Sequence, residues 1–150
     1  MKKAMSLAAF LIVVIVAGLM GYVRFAPVNG NDWHIDLVHR PAEIADVSLE
    51  VVHRLSNGAY VDLPQPAAEA RITLGRLDAV ALATPRTLRV AGSVEEGHIT
   101  WVTRSRLWAF PDYTTAQITP MGLTVFARQR YGSQDSGVNA ARLSDWLARL

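Results

Sequence analysis

The densest run of chemically capable side chains is Arg128-Gln129-Arg130-Tyr131-Gly132-Ser133-Gln134-Asp135-Ser136-Gly137-Val138-Asn139-Ala140-Ala141-Arg142. Arginine forks grip carboxylate or phosphate through two parallel hydrogen bonds, so paired arginines point to anion chemistry. Arg128 and Arg130 are two residues apart and share a face if their segment is a strand. Arg104 and Arg106 repeat that spacing upstream. Should the two strands flank a third, the arginine pairs lie about 10 Å apart on one face, provided the registers agree. A slip of one residue turns one pair away.

Asp135 is placed to cap a following helix, its carboxylate accepting from amides two or three residues on. Gly132 marks the turn out of the strand, Gly137 and Asn139 fall in the first helical turn, and Arg142 lies further along. The candidate ligand-binding set is therefore Arg104, Arg106, Arg128, Arg130, Asp135, Asn139 and Arg142. A purely structural reading competes, in which Asp135 caps the helix and pairs with Arg130 or Arg142 while Asn139 satisfies buried polar groups. On the ligand reading, the arginines and free helix amides hold an anion, although the charge of Asp135 competes for those amides. Asp112 with Asp135 as acid and base would make a hydrolase or transferase. No single residue is assigned as catalytic.

Other chemistries find little support. The chain has no cysteine, which excludes disulfides, zinc-thiolate sites and thiol nucleophiles. His34, Asp36 and His39, with His53 or His98 as a distant third nitrogen, do not match helical ligand spacing and read as loop residues. A Gly-x-Ser-x-Gly elbow is missing, and Ser93, Ser105, Ser133 and Ser136 each lack a histidine positioned by a motif. Neither a phosphate-binding loop nor a dinucleotide fingerprint is present, so no cofactor is expected. The net charge of +2 misleads about the domain, because Lys2, Lys3 and Arg24 flank an apolar run. Setting those three aside leaves 12 arginines against 13 carboxylates, a net of −1. Such a balance offers no long-range field for nucleic acid.

What holds these residues begins with Ala4 to Val23, twenty residues without a charge. As a helix the run reaches about 30 Å, the thickness of a bilayer's hydrocarbon core. It is longer than a typical signal-peptide core and lacks a small-x-small cleavage site, so an uncleaved anchor in contact with membrane lipid is expected. Met1-Lys2-Lys3 outweighs Arg24, which places the amino terminus in the cytoplasm and the domain on the periplasmic side of a bacterial inner membrane.

Pro27 to Asp32 reads as a linker joining the anchor to one domain over residues 33–150. Val47 to Arg54 is a candidate strand with Val47, Leu49 and Val51 on one face. Ser56-Asn57-Gly58 is a turn, and Tyr60 to Leu63 is short and extended. Ala67 to Ala83 is a helix: Ala70, Leu74, Leu77 and Ala81 recur at helical spacing, with Glu69, Arg76 and Asp78 off the stripe. Thr84-Pro85 ends it. A strand follows with Leu88, Val90 and Val94 on one face and Arg89 on the other. Further strands are expected at His98 to Leu107, Tyr113 to Thr119 and Leu123 to Tyr131, the last two joined by a tight Thr119-Pro120-Met121-Gly122 turn. A helix over 136–150 closes the chain, with Leu143, Trp146, Leu147 and Leu150 apolar and Asp145 facing Arg149. Connections this short favour an antiparallel meander. Trp101, Trp108, Phe110 and Phe126 read as core residues or loop anchors, with Trp108-Ala109-Phe110 at a strand end able to touch lipid headgroups or a partner.

Two blocks, Thr103-Arg104-Ser105-Arg106-Leu107-Trp108-Ala109-Phe110-Pro111-Asp112 and Arg130 to Arg142, carry a family resemblance. The second contains an Arg-x-Gly-x-x-Asp-x-Gly-Val-Asn run followed by an arginine. From Ile99 to Leu150 the chain resembles the domain of unknown function 1499 family. Tyr113 stands where that pattern commonly has a second aspartate, and Gln129 where it commonly has serine. The resemblance implies no particular reaction.

The expected whole is an N-terminal membrane helix followed by an α+β domain, an antiparallel sheet of four to five strands packed by two helices. Its expected role is a non-catalytic envelope module for a partner protein or an anionic or lipidic ligand.

Overall fold

The computed structural model describes residues 2–150, with side chains from Met5 onward; the charges of Met1-Lys2-Lys3, on which the expected orientation rests, lie outside them. Lys2–Phe25 forms one 24-residue helix, α1. Its Met5–Phe25 stretch is long and apolar enough to cross a membrane and is almost wholly exposed. An N-terminal helix of this kind serves as a membrane span or as a signal sequence.

The domain is α+β, built on one antiparallel sheet of six strands in the order β1-β2-β6-β5-β4-β3. The expected four-strand meander is present as β3 (Thr87–Ser93), β4 (His98–Arg104), β5 (Pro111–Thr119) and β6 (Gly122–Gln129). Thr119 pairs with Gly122 across the two-residue Pro120-Met121 turn. The count rises to six because β2 (Gly58–Pro64) pairs with β6 along its whole length, and β1 (His53–Arg54) adds a short edge. Residues 47–52 do not form the expected strand. Val47, Leu49 and Val51 are exposed, and Glu50 at φ +57° breaks the extended run.

One face of the sheet carries the helices. In α3 (Ala67–Ala83), Ala70, Leu74, Leu77 and Ala81 are fully buried against Val61, Ile99, Trp101, Ala116 and Val125. Thr84 ends the helix, and its hydroxyl accepts from Trp146 Nε1 at 2.9 Å, tying α3 to α4 (Val138–Leu147). Asp78, expected off the stripe, is 7% exposed. It accepts from Trp101 Nε1 at 2.8 Å and pairs with Arg89, so a buried indole and a strand arginine share its carboxylate. Leu88 and Val94 do not share a face as expected. A β-bulge between Arg89 and Ala91 reverses the alternation, leaving Leu88 66% exposed and Val94 packed on the core. An extra residue in one strand of a pair has this effect.

The opposite face is covered by the chain's own amino-terminal segment. Residues 27–32, expected as a linker, lead into the short helix α2 (Gly30–Trp33), which packs on β3 so closely that any side chain at Gly30 would strike the Val90 carbonyl. Trp33 stacks on Tyr113 with ring centroids 4.2 Å apart. Leu37 and Ile44 are fully buried with Tyr60 and Phe126 in a second core. Arg40 reaches Asp62 at 2.7 Å, where the Ser48 amide and Thr124 hydroxyl also donate. Burial alone would push the Asp62 carboxyl up; these donors more than offset it and hold it below the usual range.

Candidate functional site

Register decides what the paired arginines do. Arg104 lies opposite Pro111, Arg128 opposite Tyr113, and the Arg130 amide bonds the Pro111 carbonyl. Directly paired residues point to one side of a sheet, so Arg104, Arg128 and Arg130 share the face away from α3 and α4. They do not converge on a common vacancy; each donates to backbone carbonyls of the amino-terminal segment. Arg104 reaches Val23 O at 3.2 Å, Ala26 O at 3.2 Å and Ala109 O at 3.0 Å. Arg130 reaches Pro27 O at 2.9 Å, and Arg128 reaches Trp33 O at 2.5 Å. Arg106 lies beyond the strand, exposed in the turn that follows β4.

Arg128 is 8% exposed and has no carboxylate partner among the described residues. Its guanidinium lies 5.2 Å from the Trp33 ring centre and 5.0 Å from that of Phe126, where two aromatic faces replace water. Burial lowers its pKa to about 10, so it remains a cation at neutral pH. Nearby, His34 and His98 stack at 3.6 Å. His34 Nδ1 meets the Thr100 hydroxyl, and His98 Nε2 meets the Ile35 carbonyl. Burial and the neighbouring His34 hold His98 down at about 4. His39 instead pairs with Asp36 at the surface. Among the described residues no cluster of three or more acid, histidine or cysteine side chains is arranged to hold a metal ion.

The signature run serves the other face. Asp135 accepts from the amides of Gly137 at 2.7 Å and Asn139 at 3.1 Å, so it meets amides at the start of α4 from two residues before the N-cap, which is Gly137. The helix begins two residues later than expected, at Val138, because Ser136 and Gly137 adopt positive φ and turn the chain first. Asp135 forms no ion pair with Arg130 or Arg142, contrary to the structural pairing considered above. Arg142 bonds Asp112 at 2.9 Å and the Asn139 side-chain oxygen at 2.8 Å. Burial raises the Asp112 carboxyl, and Arg142 offsets only part of that. A cavity of about 220 Å³ opens here, lined by Asp112, Gln129, Tyr131 and Asp135 among others. Gln129 Nε2 and the Tyr131 hydroxyl are buried without a hydrogen-bond partner among the described residues. Six of the seven candidates thus divide between opposite faces, with Asp135, Asn139 and Arg142 on the helix side, and Arg106 lies in the turn beyond β4.

A larger cavity, of about 370 Å³, lies at the foot of α1. Arg24, Arg86, Arg104 and Arg106 line it, with Phe25, Leu88, Ser105 and Ala109. Arg86, at φ +62°, donates from Nε to the Arg104 carbonyl. Beside it, Leu19, Met20 and Val23 of α1 face Trp108 and Phe110 across an apolar cleft of about 200 Å³. Neither Arg24 nor Arg86 figures among the sequence-derived candidates. In the sequence Arg24 flanks an apolar run and Arg86 follows a helix-ending proline, and neither position carries a local sign of anion chemistry.

These features define a class: an antiparallel α+β domain with two helices on one face and an arginine-held amino-terminal segment on the other. The chain belongs to the family described as Protein of unknown function (DUF1499), whose profile matches residues 42–150. No curated protein and no solved structure matches it.

Proposed function

We propose that this is a single-pass protein of the bacterial inner membrane whose domain faces the periplasm and acts as a non-catalytic binding module. It would serve a partner protein or an anionic or lipidic ligand. The observation that carries this reading is the junction between α1 and the sheet. Arg104 donates both to Val23 O, inside α1, and to Ala26 O just past it. Ala26 itself is 4% exposed. The last turn of a helix leaves carbonyls without partners, and a guanidinium there satisfies them and complements the helix dipole. A segment destined for removal gains nothing from being built into the domain, whereas an anchor seated this way holds the domain against the bilayer. Leu7, Phe10, Ile12 and Ile15 each remain about 60% exposed, an apolar surface that lipid would cover.

The test is fractionation of the full-length chain carrying a carboxy-terminal tag. Expected is recovery in alkali-washed inner membranes at uncleaved mass, with the tag digested by protease only once the periplasm is opened. Uncleaved protein in the cytosol, or a trimmed soluble form in the periplasm, contradicts the proposal.

A hydrolase or transferase working at the strand-to-helix junction is the second reading. The raised Asp112 carboxyl beside the unpartnered Gln129 and Tyr131 groups favours it. Against it, both oxygens of Asp135 are taken by backbone amides, leaving no free base beside the acid. Ester or phosphoester turnover by the purified chain, abolished by Asp112→Asn, would establish it.

A further inference from the structure

We propose that the cavity at the foot of α1 binds the phosphate group of an anionic membrane lipid, an inference that rests on the membrane placement proposed above. Four guanidiniums line it and no carboxylate does. None of the four forms an ion pair among the described residues. Arg104 spends its hydrogen bonds on three carbonyls, which orient its charge without neutralising it. Arg86, exposed at the rim, is tethered by its bond to the Arg104 carbonyl, and its two terminal nitrogens make no hydrogen bond among the described residues. Such an arrangement of like charges is unfavourable until an anion enters, and forked donors suit phosphate oxygens.

Depth and rim chemistry select the source. Arg24 and Phe25 end the apolar helix, so the cavity lies where a spanning helix leaves the hydrocarbon and lipid phosphates begin. Phe25 and Leu88 supply apolar walls beside the arginines. Trp108 and Phe110, both about 40% exposed, face Leu19, Met20 and Val23 of the helix at the same level. Aromatic side chains favour this interfacial layer. A site for a free ion has no use for apolar walls, whereas a phospholipid brings glycerol and acyl carbons next to its phosphate.

The experiment uses the full-length protein in lipid nanodiscs, with incorporation scored first. In discs of phosphatidylcholine, whose own ammonium competes for its phosphate, the melting temperature sets a baseline. Replacing part of that lipid with phosphatidylglycerol is expected to raise the melting temperature by about 3 °C. Each protein is read against its own phosphatidylcholine baseline, and the Arg86→Gln/Arg106→Gln variant should lose most of the rise. Native mass spectrometry of wild type should show retained phosphatidylglycerol, an outcome independent of the variant's folding. A rise that survives the double substitution, or its absence in wild type, overturns the site. If inorganic phosphate added to phosphatidylcholine discs gives the same rise, the lipid source is overturned and a soluble anion takes its place. Failure to enter discs refutes the membrane reading instead, and the phosphate arm on the soluble protein then decides the cavity alone.

Discussion

Asp135 holds two amides that the start of α4 would otherwise leave unpaired, and no cation among the described residues pairs with it. Asp135→Ala should therefore cost about 1–2 kcal/mol in urea denaturation, the range for losing a helix cap with its buried amides. A loss of 4 kcal/mol or more, of the order of breaking a buried ion pair, would point to a charged partner instead. His98 makes a second residue-scale prediction. Its folded pKa, about 4, lies below the ordinary 6.5, so between those values the unfolded chain binds the proton that the folded chain refuses. Stability should be unaffected by this group above pH 6.5, decline as pH falls toward 4, and change no further from this cause below that. The facing His34 is lowered in the same direction, by burial. Denaturation midpoints across this range test it: His98→Gln should flatten the decline, and an unchanged slope would remove His98 as its source.

At the scale of elements, arginine donors hold the amino-terminal segment together with the apolar core that Leu37 and Ile44 form on Tyr60 and Phe126. Arg128 donates to Trp33 O while two aromatic rings enclose it. Arg128→Met keeps much of the volume but leaves that carbonyl without its donor. A loss of about 2–3 kcal/mol is expected, with Trp33 fluorescence shifting red as the ring leaves Tyr113. Unchanged stability and emission would mean that packing alone seats the segment. Elements on the helix face were easily read from sequence, because their burial follows local period. Ala70, Leu74, Leu77 and Ala81 form a helical stripe, and every one of them is fully buried. The faces of β3 are not legible in the sequence, because a bulge reverses alternation without changing composition.

For the whole molecule, the segment outside the family match matters to the part within it. The match begins at residue 42, yet Trp33 and Leu37 cover Tyr113, Phe126 and Arg128 on the open face. A fragment of residues 42–150 should thus be less stable than one of residues 26–150 by about 3–5 kcal/mol, the contribution of a buried leucine and a stacked tryptophan with its hydrogen bonds. Equal denaturation midpoints would show that the sheet does not need this cover. The same cover explains why the arginine pairs do not form one anion site. Three of the candidate guanidiniums meet the chain's own carbonyls, and a cavity stays open beside Arg24, Arg86 and Arg106.

Sequence alone determined the apolar amino-terminal helix, the α3 stripe and its proline stop, the four-strand meander, and Asp135 as an acceptor for amides at the start of α4. Each is written in neighbours a few residues apart, where helical period, turn chemistry and capping act. Tertiary structure decided the rest. Residues 26–46 fold over the open face, Asp112 rather than Asp135 meets Arg142, and Arg24 joins Arg86 across more than sixty residues of chain. Such contacts depend on which edge of β6 receives β2 and on where the amino-terminal segment crosses the sheet. Long-range packing sets both, and no local spacing encodes them.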